Sequence, residues 1–277
     1  MRDAIEASAR YLGVEVAPSA LALLDDPQTA RLLAAHVDTL SAAVGVTGEV
    51  PWPALDPATE ADFQLLAILG TVPATRRWFA GHGVSDEIAS ASLADIARKL
   101  RDYGIAATGA DWFVELVTAR VFALGRLQFD PYDRVPGTGL PAWNVHIPEL
   151  GPLDPAACDA SFAAAVPFFA SAVGDTATRH FVCHSWLLDD QLAEYLPAES
   201  NILKFQRRFT LVDSEGSDAP VDGVTEGDTA MAKFIFRRPL SELPTITPSS
   251  RLEAAVIGHL AAGRHWRERA GTIEFRA

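Results

Sequence analysis

"NVHIPELGPLDPAACDASFAAAV", residues 144–166, is the stretch that decides the fold. Its opening belongs to "WNVHIPEL" (143–150), where apolar and polar residues alternate as in a strand. Gly151 then permits a tight turn, Asp154 stands as a helix N-cap, and Pro155 fills the first helical turn. Phe162, Val166, Phe169 and Val173 follow in a helical stripe, and Pro167 predicts a kink. A strand, a glycine turn and a helix start form the geometry in which unpaired backbone N–H groups face an anion such as a pyrophosphate. An ordinary β–α turn carries the same pattern, so these residues alone leave both readings open.

Working outward, "GRLQFD" (125–130) alternates Leu127 and Phe129 against Arg126 and Gln128, which predicts a strand. "DPYDRVPGTGLP" (130–141) reads as a turn-rich loop. Downstream the pattern predicts a strand over 179–186, a short helix over about 189–196 and a strand through "QRRFTLVD" (206–213). A flexible acidic loop (214–228) and a strand "MAKFIFRR" (231–238) come next. Ser250 and Glu253 form a capping box that opens a helix stopping at Gly263, and "GTIEFR" (271–276) reads as a closing strand.

Upstream of residue 125 the spacing is helical. Asp26 caps a helix with Pro27 at its first position and Leu33, Val37, Leu40 and Val44 on one stripe. Ser92 and Asp95 resemble a second capping box, opening a helix that ends at Gly104. Phe113, Leu116, Val117 and Leu124 lie on one side of a third helix, and the segments 50–57 and 71–73 read as proline joints. The period changes within 124–142. The expected fold is therefore α+β, a helical domain over 1–124 followed by a mixed β-sheet domain over 125–277 flanked by helices.

Composition narrows the function classes. The 277 residues are 49% hydrophobic and 21% charged, as in a soluble globular protein, and the net charge of −13 argues against nucleic acid as a partner. The basic run "GRHWRER" (263–269) reads as a solvated face or a local anion site. Cys158 and Cys183 form no CxxC pair, the N-terminus lacks the apolar core of a signal peptide, and no uninterrupted apolar run predicts a membrane span. A cytoplasmic location is expected; the oligomeric state is left open.

The cluster Cys183-His184-Ser185 invites a nucleophile reading, but neighbouring residues in a strand point to opposite faces. Cys183 shares a face with Phe181 and Ser185, while His184 shares one with Val182 and Trp186. His180 and His184 stand roughly 13 Å apart along a strand, too far to share a metal ion. No metal is expected.

Together these segments resemble the GNAT-type acyltransferases. In that superfamily a strand ends in a V-x-x-x-x-x-G loop that cradles the coenzyme A pyrophosphate, a helix follows, and a second strand splays from the first. "NVHIPELGPLDPAACDASFAAAV" resembles the first strand, loop and helix, "RHFVCHSWLL" (179–188) the second strand, and "SNILKFQRRF" (200–209) a later family segment with Asn201 and Phe209 in place. More specifically, residues 122–212 resemble two-domain proteins of actinobacterial type, an N-acyltransferase N-terminal domain followed by a GNAT-like C-terminal domain. The loop departs from the usual [QR]-x-x-G-x-[GA] signature. Only Gly151 fits, Pro152 has no N–H to offer a phosphate, and Phe205 stands near the place of a tyrosine that often protonates the departing thiolate.

The resemblance implies transfer of an acyl group from acetyl-CoA or another acyl-CoA to an amine of a small molecule or protein. It implies contacts to the coenzyme from Val145, Ile147, Leu150, Gly151, Leu153, Asp154, Ala156 and Asn201. His184 and His146 are the candidate general bases, since imidazole titrates near neutral pH, with Glu149 as the second choice. Arg126, Gln128 and Trp186 are the candidate substrate contacts; the face shared by Arg126 and Gln128 lines a polar cleft or meets solvent. The altered loop and absent tyrosine favour a different class, a non-catalytic GNAT-like module that binds an acyl thioester or other small ligand. A third reading is a structural partner protein with a vestigial cleft.

Overall fold

The computed structural model describes residues 1–212 and 219–275. The chain divides into two compact units. One comprises Met1–Leu124 with the short return Phe168–Gly174; the other comprises Gly125–Pro167 and the chain from Asp175 onward.

The first unit holds helices α1 (Arg2–Leu12), α2 (Pro18–Ala22), α3 (Pro27–Ala42), α4 (Glu60–Gly81), α5 (Asp86–Asp102), α6 (Gly104–Thr108) and α7 (Ala110–Val117), then strand β1 (Phe122–Leu124). The start of α3 follows the expectation: the Asp26 carboxylate accepts the Thr29 N–H at 2.7 Å and Pro27 opens the helix. Leu33 and Leu40 of its stripe are fully buried, packed with Ile5, Phe63 and Leu66.

Three expectations fail here. The joint at 71–73 lies inside α4, because Leu66, Ile68, Leu69 and Val72 before Pro73 and Phe79 after it are buried and tertiary packing outweighs its missing N–H. The Ser92–Asp95 pair is no capping box: Ser85 caps α5, accepting from Ile88 N–H. Ser92 is buried within that helix, where its hydroxyl donates to Ile88 O at 2.7 Å and accepts the Ala123 N–H at 2.8 Å. Buried Asp95 accepts from the Trp112 indole at 2.9 Å and from Arg98. Finally, α7 stops at Val117, and Leu124 belongs to β1.

The second unit contains β2 (Leu127–Arg134), β3 (Pro141–His146), α8 (Pro155–Phe168), β4 (His180–Ser185), α9 (Asn201–Gln206), β5 (Thr210–Val212), α10 (Glu226–Met231), α11 (Arg251–Ala261) and β6 (Arg269–Glu274). Its strands lie in the order β2-β3-β4-β6-β5. Only the β3–β4 pair is parallel, as a sheet with α8 crossing from one strand to the next requires. Asp154 caps α8 by accepting the Ala157 N–H at 2.9 Å. Cys158, Ser161 and Ala165 form its most buried face, and the Phe162 ring lies 5.8 Å from Phe129 and 4.9 Å from Phe181. After Pro167 the helix widens into a π turn, Phe169–Val173, which accommodates the missing N–H. Residues 155–173 are long and apolar enough to cross a membrane by length and composition, but Phe162 packs on the sheet and Asp159 pairs with Arg208 at 2.7 Å.

Several local expectations shift. The turn-rich reading of 130–141 fails because β2 runs on to Arg134, with an irregularity between Asp130 and Asp133 that tolerates Pro131. β3 ends at His146, so 147–150 is loop. The short helix expected over 189–196 is a 3-10 turn, Asp190–Glu194, and β5 begins only at Thr210, after α9 has taken up Gln206. "MAKFIFRR" is helical rather than extended: α10 starts from a Thr225–Asp228 capping box and runs into a π turn, Ala232–Phe236, with Met231 and Ala232 in the core. The acidic loop therefore ends at Thr225, and its residues 214–218 lie outside the described residues, as do Asp213 and Arg276 of the expected strands. Ser250 caps α11 as expected, accepting the Glu253 N–H, while the Glu253 carboxylate reaches Ser249 N–H at 2.6 Å.

Candidate functional site

The sheet has two unlike faces. One carries Phe129, Val145, Phe181 and Cys183, all buried, and is covered by Phe162 of α8. Burial drives the Cys183 thiol far above its ordinary value, so this sulfur is an inert core group. The strand register puts Gln128 opposite His146, Asp130 opposite Asn144, Asp133 opposite Ala142, and His184 opposite Ala270. Because facing residues share a side, Gln128, Asp130, Asp133, His146 and His184 occupy the second face. Alternation thus disperses the Cys-His-Ser triplet and gathers two histidines with two aspartates.

His146 Nε2 lies 2.9 Å from Asp130 Oδ2, a hydrogen bond that orients the ring. His184 Nε2 stands 3.7 Å from Asp133 Oδ2, an ion-pair distance rather than a hydrogen bond, and its side chain is 44% exposed. Glu268 precedes β6 by one residue, two before Ala270, and so lies diagonally from His184. Burial chiefly raises its carboxyl pKa, the neighbouring Glu226 charge adds to the rise, and His184 acts in the opposite direction.

Between the histidines the sheet opens. The β3–β4 ladder pairs Trp143 with Phe181 and Asn144 with Val182, yet β3 continues to His146 and β4 to Ser185. Beyond Val182, β4 remains paired with β6 as far as Ser185–Arg269. The result is a wedge between β3 and β4.

The loop after β3 is held by one side chain. Arg126 donates to the carbonyls of Pro148 at 2.9 Å, Gly151 at 2.8 Å and Pro152 at 2.9 Å. In a trans peptide the N–H opposes the carbonyl, so the N–H groups of Glu149 and Leu153 point away from the guanidinium. Leu150 N–H closes a tight turn onto Pro148 O at 2.8 Å, and Gly151 takes the left-handed φ of 84°. Arg208 donates to Pro155 O at 2.9 Å in the first turn of α8 and to Asp159 at 2.8 Å. Two guanidiniums thus flank the helix start, alongside its own positive end.

The remaining expected site residues fall as follows. Arg126 faces the loop rather than an open cleft. Gln128 is buried on the polar face, and Val145 is buried on the other. Ile147 is half-buried; Leu150, Gly151, Asp154 and Ala156 are exposed around the loop, and Leu153 is buried beneath it. Glu149 pairs with Arg237 at 3.0 Å. Asn201 opens α9 behind the Ser200 cap. Trp186 leaves the strand, since β4 ends at Ser185, and packs against the cluster of Leu192, Leu203, Met231 and Trp266. Among the described residues no group of three or more His, Cys, Asp or Glu is placed to hold a metal ion.

Comparison with known proteins agrees with this architecture. Residues 4–115 match the model of the N-acyltransferase N-terminal domain, and residues 121–273 match that of the GNAT-like C-terminal domain. The chain belongs to this two-domain GNAT-like acyltransferase family. A crystal structure of an acyltransferase in complex with decanoyl-CoA is similar at 32% identity and TM-score 0.81, covering 98% of this chain and 88% of that one. An acyltransferase in complex with decanoyl-CoA and teicoplanin matches at 32% identity and TM-score 0.77, covering 97% of this chain and 86% of that one. A mutant acyltransferase in complex with octanoyl-CoA matches at 31% identity and TM-score 0.78, covering 100% and 88% respectively. No curated protein gave a significant match.

Within this GNAT-like chain, sequence reading missed Asp130, Asp133 and Glu268. Pro131 made "DPYD" look like a turn, although the alternation through Leu127, Gln128, Phe129 and Asp130 pointed to a continuing strand. Glu268 was hidden in the basic run 263–269, whose Arg264 and Arg267 in fact pair with Glu194 and Asp190 at 2.6 Å and 3.0 Å.

Proposed function

We propose that the protein transfers an acyl group from an acyl-CoA to an amine of a small molecule, with 125–277 as the catalytic domain. The observation that carries this reading is the β3–β4 wedge with His184 on its polar side, in a chain similar along nearly its whole length to acyltransferases complexed with acyl-CoA. The octanoyl- and decanoyl-CoA of those structures favour a medium-chain acyl donor, and the teicoplanin complex favours a small-molecule acceptor over a protein.

The thioester enters the wedge, and its carbonyl oxygen meets backbone N–H groups of β4 that β3 leaves unpaired. The pyrophosphate lies at the loop and the start of α8, where N–H groups of Glu149 and Leu153, the helix end and the Arg126 and Arg208 guanidiniums supply positive potential. Gly151 and Ala156 leave that approach open, Leu150 and Ile147 border the pantetheine arm, Val145 and buried Leu153 set the strand and loop beneath it, and Asn201 closes the side of α9. His184, polarised by Asp133, takes the proton of the acceptor amine. The C–N bond forms as the C–S bond breaks, and the proton passes from the imidazolium to the departing thiolate. No tyrosine is required for that return. His146 is the second candidate base, its ring held by Asp130. Glu149 is the weaker candidate because Arg237 occupies its carboxylate.

Calorimetric titration with acetyl-, octanoyl- and decanoyl-CoA, followed by thiol release across an amine panel, tests the reading. Absence of binding by every thioester defeats it. The second reading, a non-catalytic thioester-binding module, draws on Pro152 and the missing tyrosine; binding without thiol release decides for it.

A further inference from the structure

Residues 43–59 join α3 to α4 without helix or strand. The segment is pinned at its start: Gly45 N–H donates to Thr118 O at 2.8 Å, and buried Arg120 donates to Val46 O at 3.1 Å and to Gly48 O. Its far end is a turn in which Asp56 accepts the Ala58 and Thr59 N–H groups just ahead of α4. Among the described residues no hydrogen bond holds 49–55 between these points, and Pro51 and Pro53 have no N–H to offer. Packing alone keeps the middle down, with Val50, Trp52 and Leu55 against the cluster of Leu33, Leu40, Phe63 and Leu66. His36 of α3 meets Trp52 there. It is 7% exposed, and its ring centre lies 4.7 Å from that of Trp52 and 6.2 Å from that of Phe63. His36 Nε2 and Trp52 Nε1 are both buried without a hydrogen-bond partner among the described residues. Such a contact suits a neutral imidazole. An imidazolium carries an N–H on both nitrogens, and Nε2 would hold its proton where no acceptor reaches it. The indole face attracts a cation, but less than the water it excludes. Arg31 and Asp38 of α3, Glu49 and Asp56 of the segment and Glu60 of α4 are exposed, and Asp62 of α4 is half-buried. Burial is the cause that lowers the His36 pKa, with no charged group contributing.

We propose that His36 and Trp52 form an acid-released catch: neutral His36 keeps 49–55 closed over α3 and α4, and its protonation frees the segment to lift between its two pinned ends. Opening hydrates the imidazolium and bares the apolar surface of Leu33, Leu40 and Phe63. The closed state binds fewer protons, so it is favoured above the ordinary histidine value of about 6.5 and loses ground as pH falls below it. One proton taken up on opening raises the open-to-closed ratio by as much as about tenfold per pH unit in that range. This device stands whether or not the chain transfers acyl groups.

The test labels the whole chain with 5-fluorotryptophan and assigns the Trp52 fluorine line, one of six, through Trp52→Phe. Broadening of that line by a soluble nitroxide reports how far solvent reaches the indole. Between about pH 8 and about pH 5 the broadening at Trp52 should grow at least about fivefold, with circular dichroism unchanged and the other tryptophans much less affected. His36→Phe keeps a ring against Trp52 but cannot titrate, and it should remove the growth. His36→Gln should do the same, and it serves if the phenylalanine variant fails to fold. Trp52 equally shielded at both pH values, or equally open at both, overturns the proposal. So does a folded His36 variant that responds to pH as the wild type does. Equal growth at all six tryptophans marks general unfolding and overturns it too.

Discussion

His184 and Asp133 face each other on the polar side of the sheet, Nε2 to Oδ2 at 3.7 Å, although they belong to strands that are not neighbours. The bulge after Asp130 brings Asp133 into line with Ala142, hence onto the side occupied by Asn144, Val182 and His184. In the proposed reaction the imidazolium would form 3.7 Å from the Asp133 carboxylate. His184→Ala is expected to lower amine-dependent thiol release by about 10²–10⁴-fold, the usual contribution of a general base. Its 44% exposure predicts little change in stability, within about 0.5 kcal/mol. Asp133→Asn should cost less, about tenfold, by leaving the imidazolium unsupported. Steady-state kinetics alongside thermal melts check both; full activity in His184→Ala removes it as the base.

Arg126 predicts a different signature. Three carbonyls of the 148–152 turn depend on its guanidinium. Arg126→Ala should weaken acyl-CoA binding by at least about tenfold, through loss of several charge-assisted hydrogen bonds. Hydrogen exchange of Glu149–Leu153 should accelerate in parallel. Arg126→Lys should rescue little, since one ammonium cannot span the three acceptors as a planar guanidinium does. Unchanged affinity with a loosened loop would detach this loop from coenzyme binding.

The helical half and the strand–loop–helix core were legible because local signals there agree with the tertiary fold. Asp26-Pro27 and Asp154-Pro155 begin helices, and Gly151 turns the chain. Legibility failed where packing overruled a local cue. Pro73 sits in a helix buried along its length, and Ser92 and Asp95 mimic a cap while serving a buried polar network. "MAKFIFRR" alternates like a strand but is wound into a helix by the Thr225–Asp228 cap ahead of it. The site divided the same way. His184 and His146 were readable as imidazoles on strands, whereas Asp133 depends on a bulge that sequence does not announce. Glu268 depends on a register three-dimensional pairing alone defines.

Two glycines of helical segments should respond oppositely to alanine. A Cβ on Gly227 would fall 2.5 Å from the Trp266 carbonyl and the Arg267 nitrogen, backbone atoms that cannot swing aside. Gly227→Ala is expected to destabilise by about 1–3 kcal/mol, as overpacking does, and to disturb the Thr225 contact to Trp266 O. Gly258 is exposed on α11 with open space around its Cβ position. Gly258→Ala should stabilise by about 0.5–1 kcal/mol, through helix propensity. Urea melts of the two variants decide this; a Gly227→Ala protein as stable as wild type would contradict the close approach of α10 to the Trp266 strand entry.

His259 makes stability depend on acid. It is fully buried, stacked 4.0 Å from Trp266 and bonded to the Tyr195 hydroxyl at 2.8 Å. Burial, the largest cause, lowers its pKa below the ordinary value, and burial does the same to His36. Each group is thus neutral in the fold and more readily protonated when unfolded. Their contribution is fully present above the unfolded histidine value of about 6.5 and is lost as pH falls through the depressed folded values. Glu268 has the opposite sign, since its raised folded pKa contributes stability at low pH that is lost as pH rises through it. Urea melts from pH 7.5 downward should therefore show stability falling below about pH 6.5. His259→Gln should flatten that decline, and Glu268→Gln should raise stability near neutrality. A decline as steep in His259→Gln as in the wild type would assign the acid sensitivity to His36 instead.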